Sequence, residues 1–291
     1  MEPLPHPMVQ RRRLRAELRR ARAESRRTQK EVVADLGWSL SKLVRIENGQ
    51  TGISRSDLRA LLDFYGVTDP DGVRLLLELA ADSRRQSAWS AYRDVLDPDF
   101  MAYLAYEESA SLVRQSETLL VPGLLQTEEY AYAVTRQFAS ADMSGRDIER
   151  LVEARMVRQE LLGRDSCPEM FFVLDEAVVR RWVGEAPGSG KVMVRQLRYL
   201  QELAERPGIS IQILPFRSGL HYGIGGPFTI LEFPGLEDDE LLFVENRKGP
   251  TWRDNTDTIA SYKERFWHLE ELAIDAADLP GYLESAIKEM E

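Results

Sequence analysis

Apolar residues in the first part of the chain recur at the spacing of amphipathic helices. Leu14, Leu18 and Ala21 fall on one face of residues 11–26, a stretch without glycine or proline that carries arginines elsewhere. This pattern predicts a first helix. Leucines spaced in the same way predict two further helices, in SRSDLRALLDFYG and PDGVRLLLELAADSRR.

Between these segments the sequence predicts two short helices joined by a tight turn. Thr28 followed by Glu31 is the pattern of a capping box, so we expect a helix to begin there. Gly37 can take the left-handed conformation that ends a helix. Ser39 can then cap the next helix, which we expect to run to about Asn48.

From about residue 89 the pattern changes to helices mixed with short apolar or alternating runs bounded by proline and glycine. Ile209, Ile211 and Ile213 alternate as on one face of a strand. The runs GPFTILEF and ELLFVEN predict an antiparallel hairpin. We therefore expect an α+β C-terminal domain with a mainly antiparallel sheet.

Charge is unevenly distributed along the chain. The 291 residues carry a net charge of −10, yet residues 1–60 hold 14 Lys or Arg against 7 Asp or Glu. A basic head on an acidic body is expected if only the head meets nucleic acid. A length of 291 residues with 43% hydrophobic composition suits two domains that bury proper cores.

Composition also constrains the compartment and the chemistry. Cys167 is the single cysteine, which excludes an internal disulfide and a multi-cysteine metal site. No apolar stretch is long enough to span a membrane, and the first fifteen residues lack the apolar segment of a signal peptide. We expect a cytoplasmic protein, associated with the nucleoid when bound to DNA.

The paired short helices resemble the Xre-type (lambda-repressor-like) helix-turn-helix family. The likeness rests, in the family's spacing, on Thr28, Gln29, Val32, Leu36, Gly37, Ser39, Leu43, Ile46, Glu47, Asn48 and Gly49. It implies an all-α, five-helix lambda-repressor-like DNA-binding domain. The sequence departs from the family's usual residues at Val33, Leu40 and Val44. A plain helical hairpin is the competing interpretation.

The resemblance implies which residues meet double-stranded DNA. The expected DNA-binding residues are Thr28, Gln29, Ser39, Leu40, Ser41, Lys42 and Arg45. The residue matching Gln29 lies against a phosphate, whereas Arg45 is the leading candidate for reading a guanine. Leu40 either touches a thymine methyl group or packs on Trp38 and reads nothing. Arg22 and Glu47 match a pair that fixes the angle of the recognition helix.

Four later stretches resemble a C-terminal domain of unknown function that follows an Xre head in many actinobacterial regulators. They are VPGLLQTEEYA (121–131), FVLDEAVVRRWVG (172–184), IQILPFRSGLHYGIGGPFTILEFP (211–234) and FVENRKG (243–249). Such regulators are described as antitoxin-like and are typically encoded beside a very small protein. The resemblance therefore implies a small protein partner for the C-terminal domain.

We expect no catalytic residues, no cofactor and no metal site, so the protein is not predicted to be an enzyme. Asp175 and Glu176 are adjacent, point in different directions and are expected to cap a helix instead. The Gly-rich stretch after Gly223 precedes a strand and so lacks the helix N-terminus of a phosphate cradle. An enzyme tethered to DNA would need a recognisable set of catalytic residues, and this sequence contains none.

The stretch SGLHYGIGGPF, with His221, Tyr222 and Phe228, is the candidate site for a ligand or partner. A tight hairpin turn under a packed Phe228 is the competing interpretation. The acidic stretch PGLEDDE (234–240) favours a partner with basic residues.

The sequence thus predicts three segments: residues 1–66 as the helix-turn-helix domain, 67–89 as a helical linker and 90–291 as an α+β regulatory domain. The predicted function is a sequence-specific, antitoxin-like transcriptional regulator that senses a small protein. It is expected to bind an inverted-repeat operator as a homodimer, because one head alone gives weak binding. The alternative is a one-component regulator whose C-terminal domain binds a small molecule.

Overall fold

The computed structural model describes residues 7–48, 51–84, 88–184, 190–234, 240–246 and 249–291. The chain divides into two compact units, Met1–Ala91 and Tyr92–Glu291. In the part of the chain so described, no helix is both long and apolar enough to cross a membrane.

The first unit is built from helices whose ends match their sequence signals. Ser54 and Asp69 each accept a hydrogen bond from a backbone amide of the helix that follows, and Gly66 ends one helix in the left-handed conformation. The helices are α1 (Pro7–Glu24), α2 (Gln29–Leu36), α3 (Leu40–Glu47), α4 (Arg55–Tyr65) and α5 (Pro70–Asp82).

One apolar core holds these five helices together. Leu14 and Leu18 of α1 are buried as predicted, together with residues of every other helix of the unit. Leu76 and Leu79 of α5 belong to the same core. The stretch 67–89, predicted to be a linker, therefore contributes a packed helix to this unit, because the leucine face of α5 is buried against α1.

The second unit combines seven helices with one sheet over the residues described. The helices are α6 (Pro98–Glu107), α7 (Glu128–Phe138), α8 (Gly145–Gln159), α9 (Glu176–Arg180), α10 (Lys191–Ala204), α11 (Thr256–Leu272) and α12 (Leu279–Met290). The strands are β1 (Leu112–Glu117), β2 (Glu169–Asp175), β3 (Ile209–Leu214), β4 (Phe228–Glu232), β5 (Glu240–Asn246) and β6 (Gly249–Arg253). Helix α6 and strand β6 were not predicted.

The sheet is mixed, which corrects the predicted mainly antiparallel sheet. Its order is β3-β2-β1-β4-β5-β6. Strands β1, β2 and β3 pair in parallel, whereas β4, β5 and β6 join with antiparallel pairing. The error has a physical cause: a helical connection carries the chain back to the same end of the sheet, so successive strands run parallel. The antiparallel β4–β5 hairpin was predicted correctly.

The two faces of the sheet differ in character. On one face, Ile230 and Leu242 pack with Phe266 and Leu269 of α11 in an apolar core. On the other face, Gln115 and Thr229 occupy paired positions of β1 and β4 and are buried. This second face therefore buries polar side chains, which need hydrogen-bond partners.

Candidate nucleic-acid interface

The turn between α2 and α3 is fixed by side chains at both ends. Thr28 accepts a hydrogen bond from the Glu31 amide, and the Glu31 carboxylate accepts one from the Thr28 amide. These bonds hold the pKa of Glu31 below its usual value. Gly37 has φ +65°, and Ser39 accepts from the Lys42 amide at the start of α3. The predicted capping box, turn and second cap are all present.

The pairing of α2 with α3 leaves one side of α3 exposed. Val32, Leu43 and Ile46 are buried in the core of the first unit. On the opposite side, Ser41 and Arg45 are exposed. The short helix therefore presents a polar, basic face of the width that fits a major groove.

A buried carboxylate fixes the end of α3. Glu47 is 1% exposed and accepts hydrogen bonds from Arg22 Nε at 2.7 Å and Gln29 Nε2 at 2.6 Å. The Tyr65 hydroxyl lies 3.4 Å from its Oε1 atom. Burial, and then the charge of Glu47, raise the pKa of Tyr65. One side chain of α3 is thus tied to α1, α2 and α4.

This cluster includes the predicted Arg22–Glu47 pair and extends it. Gln29, expected against a phosphate, directs its amide nitrogen to Glu47. Tyr65 was missed, since it lies 18 residues from Glu47 and no local spacing signals the contact. Arg19 of α1 also contacts Asn48, the residue after α3: the Nη2 atom of Arg19 donates to Asn48 Oδ1 at 2.5 Å.

Lys42 is held within the unit. Its ammonium group lies 3.1 Å from Asp57 Oδ2 and 4.0 Å from the centre of the Trp38 ring. The residue that lies over Trp38 is therefore Lys42, while Leu40 is 44% exposed. Arg45 is less constrained: within the described residues, its Nε donates to the Ser41 carbonyl oxygen of its own helix, at 3.3 Å, and its guanidinium group forms no ion pair.

The three candidate residues in the second unit fall in different environments. Phe228 is 3% exposed and packs edge-on against Tyr262 and Phe266. The His221 side chain is buried, with Nε2 at 3.3 Å from Asp175 Oδ2. Tyr222 is exposed. Of the three, only Tyr222 offers a surface, whereas Phe228 is part of the core.

The adjacent carboxylates after β2 have separate structural contacts. Asp175 accepts from the Ala177 amide and caps α9, so the prediction that the two residues cap a helix is confirmed for Asp175 alone. Glu176 accepts from the Phe216 amide at 2.7 Å and pairs with Arg180. Burial by itself would raise the pKa of Glu176. The hydrogen bond from the Phe216 amide and the contact with Arg180 outweigh burial and lower this pKa.

A second buried ionic cluster lies on the polar face of the sheet. Nε and Nη2 of Arg158 on α8 each donate to a Glu107 oxygen at 2.6 Å. The Tyr103 hydroxyl also donates to Glu107, at 2.9 Å. Burial opposes the charge of Arg158, but Glu107 raises its pKa overall. No sequence motif pointed to this cluster, because its members come from helices far apart in the chain.

Comparison with known families agrees with the two units. Residues 13–76 match a family model described as a helix-turn-helix domain, which indicates a DNA-binding regulator. Residues 100–281 match a domain of unknown function, DUF5753. No curated protein matches the chain, and no solved structure does. The chain therefore belongs to the DUF5753 family and carries a helix-turn-helix domain ahead of that domain.

Proposed function

We propose that the protein is a sequence-specific, Xre-type transcriptional regulator that binds operator DNA through α3. The observation that carries the proposal is the exposed basic face of α3 on a helix whose end is fixed by the buried Glu47. A fixed recognition helix loses little conformational entropy on binding. The proposal includes a cytoplasmic homodimer on an inverted repeat, because one head contacts a single half-site.

Arg45 is the proposed specificity residue. Its guanidinium group makes no ion pair within the described residues, so it is available for a bidentate contact to guanine, worth about 1–3 kcal/mol of discrimination. Leu40, Ser41 and Lys42 border it, and Lys42 would have to leave Asp57 to reach a base. The backbone amides of Gln29 and Lys30, which take no part in the capping box at the start of α2, are proposed to bind a phosphate.

Substitution at Arg45 tests the assignment. Arg45→Ala is expected to relax base preference at one or two positions of the operator, measured by competition binding with a set of single-base operator variants. Arg74→Ala is the control, since Arg74 is an exposed arginine of α5 that pairs with Asp71. Equal weakening for all sequences would instead make Arg45 a phosphate contact.

The contact between Gln29 and Glu47 allows the role of Gln29 in DNA binding to be tested. If its amide only supports Glu47, Gln29→Ala weakens all operators and lowers the stability of the first unit together. If the amide also binds phosphate, Gln29→Ala weakens binding of all operators even at a temperature where the first unit of the variant is fully folded. A change in the preferred operator would refute both roles.

For the second unit we propose recognition of a small protein encoded by a neighbouring gene, in an antitoxin-like arrangement. Support comes from apolar side chains exposed in one loop: Phe216, Leu220, Tyr222 and Ile224. Leu220 is 91% exposed, and contiguous exposed apolar residues mark interaction sites. The acidic stretch 234–240, predicted to favour a basic partner, lies mostly outside the described residues.

The first experiment is binding of the purified full-length protein to its own promoter region at two salt concentrations, with and without the neighbouring small protein. Salt-sensitive, site-specific binding that the partner changes would support both proposals. Specific binding indifferent to the partner would favour the second candidate function, a small-molecule sensor. No specific binding would refute the proposal for α3.

A further inference from the structure

A polar cavity lies on the sheet face opposite α11. Gln115 and Glu117 of β1 project from this face, and Thr229 of β4 and Glu245 of β5 follow the same alternation. With Arg155, Arg158 and aromatic residues, these side chains line a cavity of about 120 Å³. The cavity belongs entirely to the second unit.

An apolar cavity adjoins it. Phe100, Arg155 and Arg158 line both cavities and form their common wall. The second cavity has a volume of about 290 Å³, near the lower end of the ~300–1,000 Å³ typical of ligand pockets. Its remaining wall is mostly apolar, formed by Val95, Leu96, Leu104, Leu151 and Ala154. Asp97 also lines it, and its carboxylate caps α6.

The two guanidinium groups of the common wall differ in charge balance. Arg158 is neutralised by Glu107 through two hydrogen bonds. Arg155 has only neutral acceptors, Gln126 Oε1 at 3.1 Å and Thr135 Oγ1 at 3.4 Å. Among the residues that the structure describes, Arg155 forms no ion pair. A desolvated cation without a counter-ion is unfavourable, so an anion at this position would stabilise it.

Several N–H groups of the pair are available to such an anion. Both hydrogen bonds of Arg155 come from Nη1, which leaves Nε and Nη2 without partners in the described chain. Nη1 of Arg158 is likewise unbonded there. It approaches the Gly123 backbone so closely that a Cβ atom at residue 123 would lie 2.5 Å from it. The glycine therefore leaves room for the guanidinium group.

Two carboxyl groups line the cavity, Glu117 and Glu245, and burial raises the pKa of both against the opposing charge of Arg158. Burial, and then the charge of Glu245, raise the pKa of Glu117 to about 8. Gln115 is 5% exposed, and its Oε1 has no hydrogen-bond partner among the described residues, while Nε2 donates to Glu117 at 2.8 Å. When Glu117 is protonated, a half-turn of the amide lets the hydroxyl donate to Oε1 and turns Nε2 toward the cavity.

We propose that the C-terminal unit binds a small carboxylate with an apolar body, its carboxylate held by Arg155 and Arg158 and its body lying in the apolar cavity. The guanidinium groups match a carboxylate in charge and in donor geometry. This inference gives a ligand class to the small-molecule candidate above. Its binding step does not depend on whether the head binds DNA.

The position within the sheet agrees with such a site. From β1 the chain passes to β2 and β3 on one side, and β4 then lies on the other side of β1. In doubly wound parallel sheets, ligands bind outside the carboxyl ends of strands at such a reversal; here β4 runs antiparallel to β1, so the likeness is limited to the carboxyl end of β1. Glu117 is the last residue of β1 and lines the cavity at this point.

Calorimetric titration of the full-length protein with phenylacetate and hexanoate tests the inference without DNA. We expect saturable binding of at least one of them, and at least tenfold weaker binding of phenylacetamide, which lacks the charge. Inorganic phosphate lacks the apolar body and is expected to bind at least tenfold more weakly as well. Saturation by none of the carboxylates would overturn the proposal.

Two variants separate the roles of the cavities. Arg155→Gln is expected to weaken phenylacetate binding at least tenfold, whereas Arg146→Gln, an exposed position on the same helix, should change it less than twofold. Leu151→Trp fills the apolar cavity and should abolish binding without altering charge. Binding unaffected by both cavity variants would place the ligand elsewhere and refute the site.

The pH dependence gives a further readout. Protonated Glu117 favours an anion beside it, so carboxylate affinity should fall as pH rises from about 6.5 to 9. The charged or titratable groups that line the cavity with Glu117 or interact with it are Glu245, Arg155, Arg158, Tyr103 and Tyr130. Glu117→Gln should remove this dependence. Affinity that rises with pH would indicate a cationic ligand and contradict the proposal.

Discussion

The two units each bury a charged cluster, but they balance the charge differently. In the first unit Glu47 accepts hydrogen bonds from Arg22 and Gln29, with Tyr65 close by, and its acceptor capacity is used within the domain. In the second unit Glu107 neutralises Arg158, and Arg155 is left with neutral acceptors.

This difference suits the first cluster to positioning a helix and the second cluster to binding a ligand. A cluster whose members mainly bond to one another fixes a helix, so we expect the head to bind through the exposed face of that helix. Arg155 in the second unit forms no ion pair among the described residues, so an anion that enters can stabilise it and the unit can bind through its interior. Substitutions in each cluster should therefore behave differently.

The largest effect is expected from removing the counter-ion of Arg158. Glu107→Ala leaves a buried guanidinium group unpaired, which should lower the free energy of unfolding by about 3–5 kcal/mol. Urea denaturation of the full chain measures it. Glu108→Ala, which breaks the more exposed pair with Arg164, should cost about 0–1 kcal/mol. Equal losses of unfolding free energy in the two variants would show that burial does not determine the cost of breaking these ion pairs.

A smaller loss is expected in the head. Glu47→Ala leaves the hydrogen-bonding groups of Arg22 and Gln29 without their acceptor and should destabilise the first unit by about 2–3 kcal/mol. The cost is lower than for Glu107 because Arg22 is partly exposed and can be solvated. DNA binding should weaken in parallel, measured on the operator at a temperature where both proteins are folded. Unchanged binding would show that Glu47 does not position α3.

Stability of the second unit should depend on pH through Glu117. Its folded pKa of about 8 lies above the ordinary value of 4.5, so the folded state holds the proton more tightly. Stability is then greatest below pH 4.5 with respect to this group, and is lost as pH rises toward 8, at no more than about 1.4 kcal/mol per unit.

Melting temperatures between pH 5 and 9 measure this dependence. Glu117→Gln should flatten the profile and raise stability at pH 8, whereas Glu149→Gln, an exposed position on α8, should leave the slope unchanged. Identical slopes in wild type and Glu117→Gln would show that Glu117 is ionised in the fold.

The smallest effect concerns the cap of α3. Ser39→Ala removes the acceptor for the Lys42 amide and should cost about 1 kcal/mol, compared with a few tenths for Ser41→Ala on the exposed face. Hydrogen exchange of the first-turn amides of α3 measures the loss. Equal protection in the two variants would show that the Ser39 side chain does not stabilise the start of α3.

Local chemistry made much of the fold predictable. The Thr28 capping box, the left-handed Gly37 and the Ser39 cap are formed by neighbouring residues, so their spacing alone places α2 and α3. Thr127 is likewise a local cap, since its side chain accepts a hydrogen bond from the Tyr130 amide at the start of α7. Helix α6 was missed, although Asp97 followed by Pro98 is a helix-start signal.

Contacts between residues far apart in the chain were harder to predict from the sequence. The parallel pairing of β1 with β2 joins segments separated by two helices, and the predicted mainly antiparallel sheet was wrong for that reason. Phe228 was singled out as an aromatic residue in a glycine-rich stretch, but the alternation of β4 directs it to the core. Arg155 has nothing in its sequence surroundings to distinguish it from the other arginines of α8.

By itself the sequence determined where α2 and α3 begin and end, the outward face of α3 and the separation of a basic head from an acidic body, because hydrophobic periodicity, capping and charge act between near neighbours. Tertiary structure alone decided how buried charges are balanced. Glu107 and Arg158 are 51 residues apart, and Gln29 is 18 residues from Glu47. Whether a buried charge finds a partner depends on which helices pack together, and no local pattern records that.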